Sequence, residues 1–423
     1  MTRFLDELTA LLRHSRNLPA AEPLPRVSRD WIDREAQGAG VHLEAGAILA
    51  LSLRHCGLTA LPEPLGELSQ LQQLDVTGNP LPSLPESLGR LTHLSRLMAD
   101  NCRLTLLPES LGALSQLELL FADGNQLTAL PASLERLTRL RRLDLRGNQL
   151  ASVPESLGRL NSLVDLRLGK NLLTSVPESL WNLTGLETLD LSENRLASLS
   201  SGMGALSRLK MLDLGHNALT AVPESLGQLT GLSEYLYLSD NQLTSLPESL
   251  GNLKALRYLN ATDNRLTTLP SSLGGIRALI ELRLYNNRLT GLPEAMGALE
   301  NLQELHLKNN ALDSLPESLG QLTRLRKLSL ENNRLTALPS SLGGLSQLTE
   351  LDLRNNRLGS LPESLGALRH LVSLDLRGNQ LRALPASIAE LPSLGKLDLR
   401  WNKLSSPPSW LQRLEQRGCI VYL

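Results

Sequence analysis

The residues that could support catalysis or metal binding are few and scattered. Three cysteines, Cys56, Cys102 and Cys419, are too far apart for a disulfide framework or a paired zinc site, and this usage fits a reducing compartment. The seven histidines are dispersed, and none has a cysteine or a second histidine at metal-ligand spacing. Phosphate-binding loops and the common hydrolase and zinc-protease motifs are also missing from the sequence. We therefore predict no catalytic residue, no metal site and no cofactor.

The overall charge gives no indication of nucleic acid or membrane binding. Lysine plus arginine number 42 against 43 for aspartate plus glutamate, so the formal net charge is -1. The amino-terminal segment MTRFLDELTALLRH has acidic residues within its apolar run, which predicts an amphipathic helix rather than a signal peptide. No apolar run reaches the ~18 residues that a membrane span needs. These features predict a soluble, cytoplasmic protein.

The residues that must position any site belong to one repeated pattern. LxxLxLxxNxL followed by LPxxLGxLxx recurs every 23 residues, as in residues 140–162, and sixteen copies run from residue 48 to near residue 404. In LDLRGN, Leu143 and Leu145 alternate with Asp144 and Arg146, which predicts a short strand with leucines inward and variable residues outward.

The second half of each repeat predicts a short helical piece. Pro154 suits a first helical turn, Leu157 and Leu160 face the same core as the strand leucines, and the glycine is expected to limit the helix length. Stacked copies predict an α/β solenoid, with a parallel sheet on the concave face and short helical or 3-10 segments on the convex face.

The repeat resembles the leucine-rich repeat family across nearly nine tenths of the chain. The LPESLG segment is similar to intracellular proteins of the Ras-suppressor and scribble type, to bacterial effectors and to Roco-protein repeats. The resemblance implies a horseshoe-shaped, non-catalytic module that binds a protein or peptide. In effectors that are ubiquitin ligases a separate catalytic domain accompanies the repeats, and this sequence offers a counterpart only to the recognition part.

An asparagine recurs where the chain turns out of each strand. A buried bend exposes backbone N–H and C=O groups, and a carboxamide can donate and accept at once, which predicts a structural role. Cys56 and Cys102 occupy this column in the first and third copies, so we interpret them as small buried substitutes. Two strands apart, or ~10 Å, they are too distant for a disulfide.

The ends of the solenoid need covers for their apolar cores. Residues 1–47 predict a helical amino-terminal cap with Phe4, Leu5, Leu8, Leu11 and Leu12 on one face and a second helix carrying Trp31 and Ile32; a separate docking helix is the alternative. Residues 48–406 form the repeat domain. Residues 407–423 predict a cap of one helix and one strand, in which Ile420 and Tyr422 point inward.

The candidate binding site lies on the outward face of the strands, the surface that varies between copies. Four of the five tyrosines fall on three successive strands together with other outward residues. The predicted partner-binding residues are Tyr235, Tyr237, Tyr258, Asn260, Arg283, Tyr285, His306 and Lys308, and a smaller patch consists of Met98, Leu119 and Phe121. Tyrosine and arginine are favoured as interface anchors, although exposed aromatic residues also stabilise a sheet by stacking across strands. The copy with Tyr235 and Tyr237 has one extra residue near Ser233, which predicts a bulge that tilts both rings.

A charged surface is the competing candidate. Several strands carry an aspartate two residues before an arginine, as in Asp352 with Arg354, Asp375 with Arg377 and Asp398 with Arg400. Such pairs either neutralise themselves on a solvated face or offer Arg354, Arg377 and Arg400 as a contact row for a charged protein.

The sequence as a whole predicts a binding protein without catalytic activity. Its arginine-rich, lysine-poor composition suggests a bacterial source, and then a partner inside a host cell and secretion as an effector without a classical signal peptide. A recognition module of a larger enzyme or complex, such as a ubiquitin-ligase effector, is the alternative. A small-ligand receptor would need a closed pocket, which open sheets seldom provide.

Overall fold

A computed structural model describes residues 7–8, 24–28 and 38–423 of the chain. Contacts divide the chain into two compact units, Met1–Ala197 and Ser198–Leu423. In each unit, three-residue strands alternate with five-residue 3-10 segments along the repeats.

Parallel strands form the sheet of the first unit. β1 runs antiparallel to β2, and β2 to β8 then pair in parallel, each with the next. The strands are β1 Gly38–Glu44, β2 Ala47–Arg54, β3 Gln73–Asp75, β4 Arg96–Met98, β5 Leu119–Phe121, β6 Arg142–Asp144, β7 Asp165–Arg167 and β8 Thr188–Asp190. The 3-10 segments are Glu63–Glu67, Glu86–Arg90, Glu109–Ala113, Ala132–Arg136, Glu155–Arg159 and Glu178–Asn182.

The second unit repeats this arrangement, and β9 to β18 pair in parallel in chain order. The strands are β9 Met211–Asp213, β10 Tyr235–Tyr237, β11 Tyr258–Asn260, β12 Glu281–Arg283, β13 Glu304–His306, β14 Lys327–Ser329, β15 Glu350–Asp352, β16 Ser373–Asp375, β17 Lys396–Asp398 and β18 Ile420–Tyr422. The 3-10 segments are Ser201–Ala205, Glu224–Gln228, Glu248–Asn252, Ser271–Gly275, Glu294–Ala298, Glu317–Gln321, Ser340–Gly344, Glu363–Ala367 and Ala386–Glu390, and one α-helix, α1, spans Leu411–Gln416.

The core of each unit lies between the sheet and the 3-10 segments. Leu143 and Leu145 of the strand and Leu157 and Leu160 of the following segment are all at most 1% exposed. The predicted solenoid of parallel strands and 3-10 segments is therefore confirmed within each unit. Pro154 lies one residue earlier than predicted, in extended conformation just before the segment, and its carbonyl accepts the first 3-10 hydrogen bond.

The column asparagine connects three points of the backbone at once. The Nδ2 group of Asn264 donates to the carbonyl oxygens of Leu238 (2.9 Å) and Thr262 (3.0 Å), and its Oδ1 accepts the N–H of Leu243 (2.9 Å). The same pattern recurs at Asn148 and Asn356. The predicted structural role is confirmed, because each asparagine satisfies buried backbone groups of its own repeat and of the preceding one.

The residue before the column asparagine or cysteine has a left-handed backbone in most copies. Glycine fills this position at Gly78, Gly124, Gly147 and Gly378. Elsewhere it is a non-glycine residue with φ near 50°, often asparagine or aspartate, which tolerate this conformation better than most residues.

The two column cysteines behave as predicted. Cys102 lies with its Sγ 3.4 Å from the carbonyl oxygen of Val76, so the thiol replaces the amide as a weak donor. The N–H of Leu81 bonds to the backbone carbonyl of Asn79 instead (2.7 Å). Burial raises the pKa of the Cys102 thiol, and likewise that of Cys56, to about 11, and both cysteines are free and buried.

The glycine of each LPESLG segment allows close stacking. It does not limit the helix as predicted, because segments with Glu135, Trp181 or Ala389 at this position are also five residues long. A Cβ added at Gly251 would lie 2.3 Å from the backbone oxygen of Ser272 in the next repeat. Most other glycines at this position face the matching serine at 2.1–2.7 Å. In these copies the glycine therefore makes room for the backbone of the next repeat.

The glutamate of the same segment connects neighbouring repeats from outside. The Glu248 carboxylate accepts backbone N–H groups of Ser271 (3.0 Å) and Ser272 (3.1 Å), and these bonds lower its pKa. Glu224 and Glu317 make equivalent contacts. The recurrence of LPES is thus architectural, as the sequence predicts.

The amino-terminal segment contains a strand that the sequence did not indicate. β1, within the predicted helical cap, covers the free edge of β2. Val27 and Val41 extend this pairing through a backbone hydrogen bond of 2.9 Å. Of the two predicted helices, Leu8 is helical and buried, whereas Phe4, Leu5, Leu11, Leu12, Trp31 and Ile32 lie outside the described residues. The bounds of the cap and its role stay predictions.

The carboxyl-terminal helix and strand are present, but the predicted register of the strand is wrong. Val421, not Ile420 or Tyr422, pairs with the inward Leu397. Ile420 is 57% exposed and Tyr422 39% exposed, while Cys419 is buried. The reason is that Cys419 and Val421 occupy the inward positions, so both of their apolar neighbours point outward.

We expect replacement of a column asparagine to destabilise the chain. Asn264→Ala leaves the buried Leu243 N–H without its side-chain partner, at a cost of about 1–3 kcal/mol, and removes the shorter of two asparagine hydrogen bonds to the Leu238 carbonyl, which keeps the one from Asn241. The melting temperature, followed by circular dichroism, should fall by several degrees. Asn252→Ala, at an exposed position at the end of a 3-10 segment, is the matched control. Equal melting of the two variants would contradict the structural role.

We expect the stacking glycines to be intolerant of a methyl group. Gly251→Ala forces the backbone of two repeats apart, and overpacking of this kind typically costs about 1–3 kcal/mol. The control is Gly291→Ala, because a Cβ at Gly291 meets no atom within 4 Å. Thermal melts should show a loss for Gly251→Ala and little change for Gly291→Ala; a harmless Gly251→Ala would refute the packing argument.

Candidate functional site

Three tyrosine rings of the predicted binding site form a continuous cluster in the second unit. Tyr235 and Tyr258 are register partners on β10 and β11, and Tyr237 lies two residues after Tyr235. The ring centroids of Tyr235 and Tyr237 are 4.8 Å apart, and those of Tyr237 and Tyr258 are 5.2 Å apart. Both pairs are tilted by just over 50°, an arrangement that favours aromatic contact, and all three residues are half-buried.

Arg283 extends the cluster to β12. Its guanidinium carbon lies 5.5 Å from the centroid of the Tyr258 ring, and its Nε donates to Oε1 of Glu281. Burial raises the pKa of the Tyr258 hydroxyl, so this phenol is neutral and can donate a hydrogen bond. We call Tyr235, Tyr237, Tyr258 and Arg283 the tyrosine patch.

Asn260 does not contribute to the patch in the way the sequence predicts. It lies in the outward register between Tyr237 and Arg283, but it is only 8% exposed. Its Oδ1 accepts the N–H of Thr262 (3.1 Å). The side chain therefore stabilises the backbone at the end of its own strand, and Asn260 lies beneath the surface of the patch.

The other predicted residues surround the patch without joining it. Tyr285 follows β12 and is half-buried, and ring stacking in the described part of the chain does not extend to it. His306 on β13 lies with its Nε2 3.0 Å from Oε2 of Glu304. Lys308 pairs with Glu331 at 3.1 Å, on the side away from the tyrosines.

The extra residue of the irregular copy is absorbed before the strand. The N–H groups of Ser233 and Glu234 both point to the carbonyl oxygen of Lys210, at 3.4 and 3.0 Å. From Tyr235 onward, β10 is in register with β9 and β11 and keeps the same alternation of burial as β9. The predicted bulge is therefore absent from β10, because the parallel ladder restores the register by the first strand residue. The tilt of the two rings stays a prediction.

The smaller predicted patch lies in the first unit. Met98 pairs in register with Phe121 on the next strand, and both are half-buried, as is Leu119. The Arg142 guanidinium carbon lies 5.5 Å from the Phe121 ring centroid. Beside them, burial and the charge of nearby Asp123 raise the pKa of Asp100 to about 8.

The arginines of the competing charged surface are already paired. Arg354 bonds to Asp352 at 2.7 Å and to Glu331 at 2.9 Å, and similar bonds join Arg377 to Asp375 and Arg400 to Asp398. Contacts to the next strand add to these pairs, as between Arg377 and Asp398 at 3.3 Å. Although burial opposes it, the hydrogen bond from Arg400 lowers the pKa of Asp398. This surface therefore satisfies itself, which the sequence interpretation allowed as one of two possibilities.

Sequence reasoning missed two glutamates next to the patch. Glu281 and Glu304 are register partners on β12 and β13, and with His306 they bring three metal-ligand atoms within 4.8 Å of one another. The signal was present in the sequence, because residues one repeat apart occupy the same outward column. Among the histidine, cysteine and acidic side chains of the described residues, these three lie close enough together to hold a metal ion.

None of the helices in the described residues has the length and apolar character of a membrane span.

Family models match almost the whole repeat region. The model described as a leucine-rich repeat region matches residues 48–146 and 234–337, and the one described as a leucine rich repeat matches residues 138–196, 185–234 and 346–404. A model of two leucine rich repeat copies matches residues 323–367. Among curated proteins no sequence matches the chain.

Solved structures show the same architecture. A leucine-rich repeat protein of Leptospira interrogans is 30% identical, with a TM-score of 0.74, and the alignment covers 95% of this chain and 100% of that one. The ectodomain of the Arabidopsis thaliana receptor kinase GASSHO1/SCHENGEN3, in complex with CASPARIAN STRIP INTEGRITY FACTOR 2, is 32% identical, with a TM-score of 0.64 and coverage of 88% and 49%.

A plant peptide hormone receptor, RGFR1 in complex with RGF2, is 28% identical over 92% of this chain and 67% of the receptor, with a TM-score of 0.68. The family models and the similar structures indicate one repeat architecture. The 23-residue period, the alternation of strands with 3-10 segments and the asparagine column indicate the same architecture. The chain belongs to the leucine-rich repeat family.

Proposed function

We propose that this chain binds a protein or peptide through the outward face of its strands, with the tyrosine patch in the second unit at the centre of the contact. The observation that supports this most is the continuous stack of three half-exposed rings and one guanidinium. Tyrosine and arginine dominate binding energy in interfaces because they bury a large area for a small loss of side-chain freedom.

The order already present in the patch supports the same proposal. Ring contacts of 4.8 and 5.2 Å and the arginine above Tyr258 restrict these side chains before any partner arrives. Less conformational entropy then remains to be lost on binding. The arginine row at Arg354, Arg377 and Arg400 is a weaker candidate, since a partner would have to compete with carboxylates at 2.6–2.7 Å.

The structural relatives add support by analogy. Two of the similar structures are complexes, the GASSHO1/SCHENGEN3 ectodomain with CASPARIAN STRIP INTEGRITY FACTOR 2 and the peptide hormone receptor RGFR1 with RGF2, and the repeat architecture is shared. A fold alone does not specify a function, so the proposal for this chain depends on its own surface residues.

The biological setting that we propose is bacterial. The similarity to the Leptospira interrogans protein over 95% of the chain supports this origin, together with the arginine-rich composition. In that setting the chain would act as a cytoplasmic scaffold or as an effector delivered into a host cell. The mass of the natural gene product tests the alternative role, a recognition module of a larger enzyme, because that role requires further domains.

Truncation of the patch should abolish partner capture without unfolding the chain. Partners retained by the immobilised intact chain would be identified by mass spectrometry, and their affinity for purified variants then measured. Loss of one central aromatic anchor typically costs about 2 kcal/mol, or roughly thirtyfold in affinity, so Tyr237→Ala with Tyr258→Ala should lose the partner. Thermal melts should change little, because these side chains are half-exposed.

Two variants serve as controls for this experiment. Phe121→Ala removes an aromatic ring that also lies under a guanidinium, but in the first unit, and Arg377→Ala interrupts the charged row. Both should retain the partner with at most a modest loss. If the tyrosine variant binds as the parent does while Arg377→Ala abolishes binding, the contact belongs to the charged surface and the proposal fails.

A further inference from the structure

Glu281, Glu304 and His306 form a cluster at the border of the tyrosine patch. The parallel register places Glu281 beside Glu304, and Arg283 beside His306. His306 Nε2 lies 3.0 Å from Oε2 of Glu304 and 3.8 Å from Oε1 of Glu281. One imidazole nitrogen therefore faces two carboxylates that come from different strands.

The two nitrogen–oxygen distances are close to the spacing of zinc ligands. With bonds of about 2.0–2.2 Å and tetrahedral angles, ligand atoms on zinc lie about 3.4 Å from one another. The nitrogen–oxygen separations in the cluster, 3.0 and 3.8 Å, lie on either side of this value. A divalent cation would change these two distances by only a few tenths of an ångström. The two carboxylate oxygens, which lie within 4.8 Å of each other, would close on the ion by side-chain rotation.

We propose that Glu281, Glu304 and His306 bind one zinc-class divalent cation on the outward face of the second unit. Imidazole nitrogen with carboxylate oxygen suits zinc and its transition-metal neighbours, whereas calcium and magnesium prefer oxygen ligands alone. Two carboxylates supply the charge that compensates the cation. Three protein ligands leave a fourth tetrahedral position for water or for a donor atom of a partner.

The surroundings of the cluster are compatible with this ion. The side chain of His306 is 15% exposed and that of Glu281 20%, while Glu304 is 43% exposed, so the site is rigid on one side and open on the other. Lys308 is held by Glu331 and points its charge away. Arg283 occupies Oε1 of Glu281, and the second oxygen of that carboxylate can keep the arginine when the first binds a metal.

The ion would also act on the neighbouring patch. Arg283 connects Glu281 to the Tyr258 ring, so a cation on Oε1 of Glu281 would move the arginine that covers this tyrosine to the second oxygen of the carboxylate. The metal site and the tyrosine patch would then form one surface. The cation proposal nevertheless stands on the cluster alone and does not depend on a partner.

Zinc titration of the full-length chain by calorimetry tests the proposal. After treatment with a chelator and with a reductant present, the parent should bind one equivalent through this site at sub-millimolar zinc, and zinc should raise its melting temperature. His306→Ala and Glu304→Gln should each weaken binding at least about tenfold and remove the thermal shift. Glu304→Gln keeps an oxygen that can accept from His306, so its fold should be preserved.

A second readout separates this site from other zinc binding by the chain. Cobalt(II) bound to the parent should show visible absorption bands of a low-symmetry site, and these should disappear in both variants. His216→Ala is the matched control, because His216 also lies on the outward face but faces a single carboxylate, that of Asp240 at 3.3 Å. Zinc binding that is undetectable in the parent, or unchanged in His306→Ala and Glu304→Gln, would overturn the proposal. Since no partner enters the titration, this result is independent of the proposed binding function.

Discussion

The bend that ends each strand imposes the constraint on which the repeats depend. The chain must leave the sheet inside an apolar core. There, the free-energy cost of one unpaired backbone group is as large as the stabilisation that several good contacts provide. Asn264 meets this demand with one carboxamide that bonds to its own bend and to the repeat before it. Each repeat therefore completes the hydrogen bonding of its neighbour, and cooperativity along each unit follows from this one side chain.

The outward surface is shaped by the same constraint. Because the ladder fixes the backbone of every copy, an irregularity such as the residue added near Ser233 is absorbed before the strand begins and leaves the face regular. Side chains of neighbouring copies then meet in columns. On the carboxyl-terminal strands, aspartates and arginines two residues apart cancel each other's charge, whereas on β10 and β11 tyrosines stack across neighbouring columns. The backbone is the same in both places, so the surfaces differ only in residue type.

Much of the fold could be predicted from the sequence, because with a strict period the structure of one repeat applies to all the others. Leucine alternation identified the strands, and the asparagine column was correctly assigned to the bends. The prediction failed where the period stops: in Cys419 to Leu423 nearly every residue is apolar, so nothing in the pattern chose Val421 over its neighbours as the inward residue. Asn260 was misjudged because its role depends on its side-chain conformation, which a register does not determine. Glu281 was missed although the period places it in one outward column with Glu304.

The paired arginines and aspartates have a consequence for encounter kinetics. Charges that cancel within ~3 Å produce little field beyond a Debye length of ~8 Å at physiological ionic strength, so the carboxyl-terminal strands exert almost no long-range pull on a passing molecule. Association would then proceed at the ~10⁵–10⁶ M⁻¹s⁻¹ typical of unsteered docking. Selectivity would then depend on the dissociation rate, that is, on how long a partner stays bound to the tyrosine rings after the first encounter.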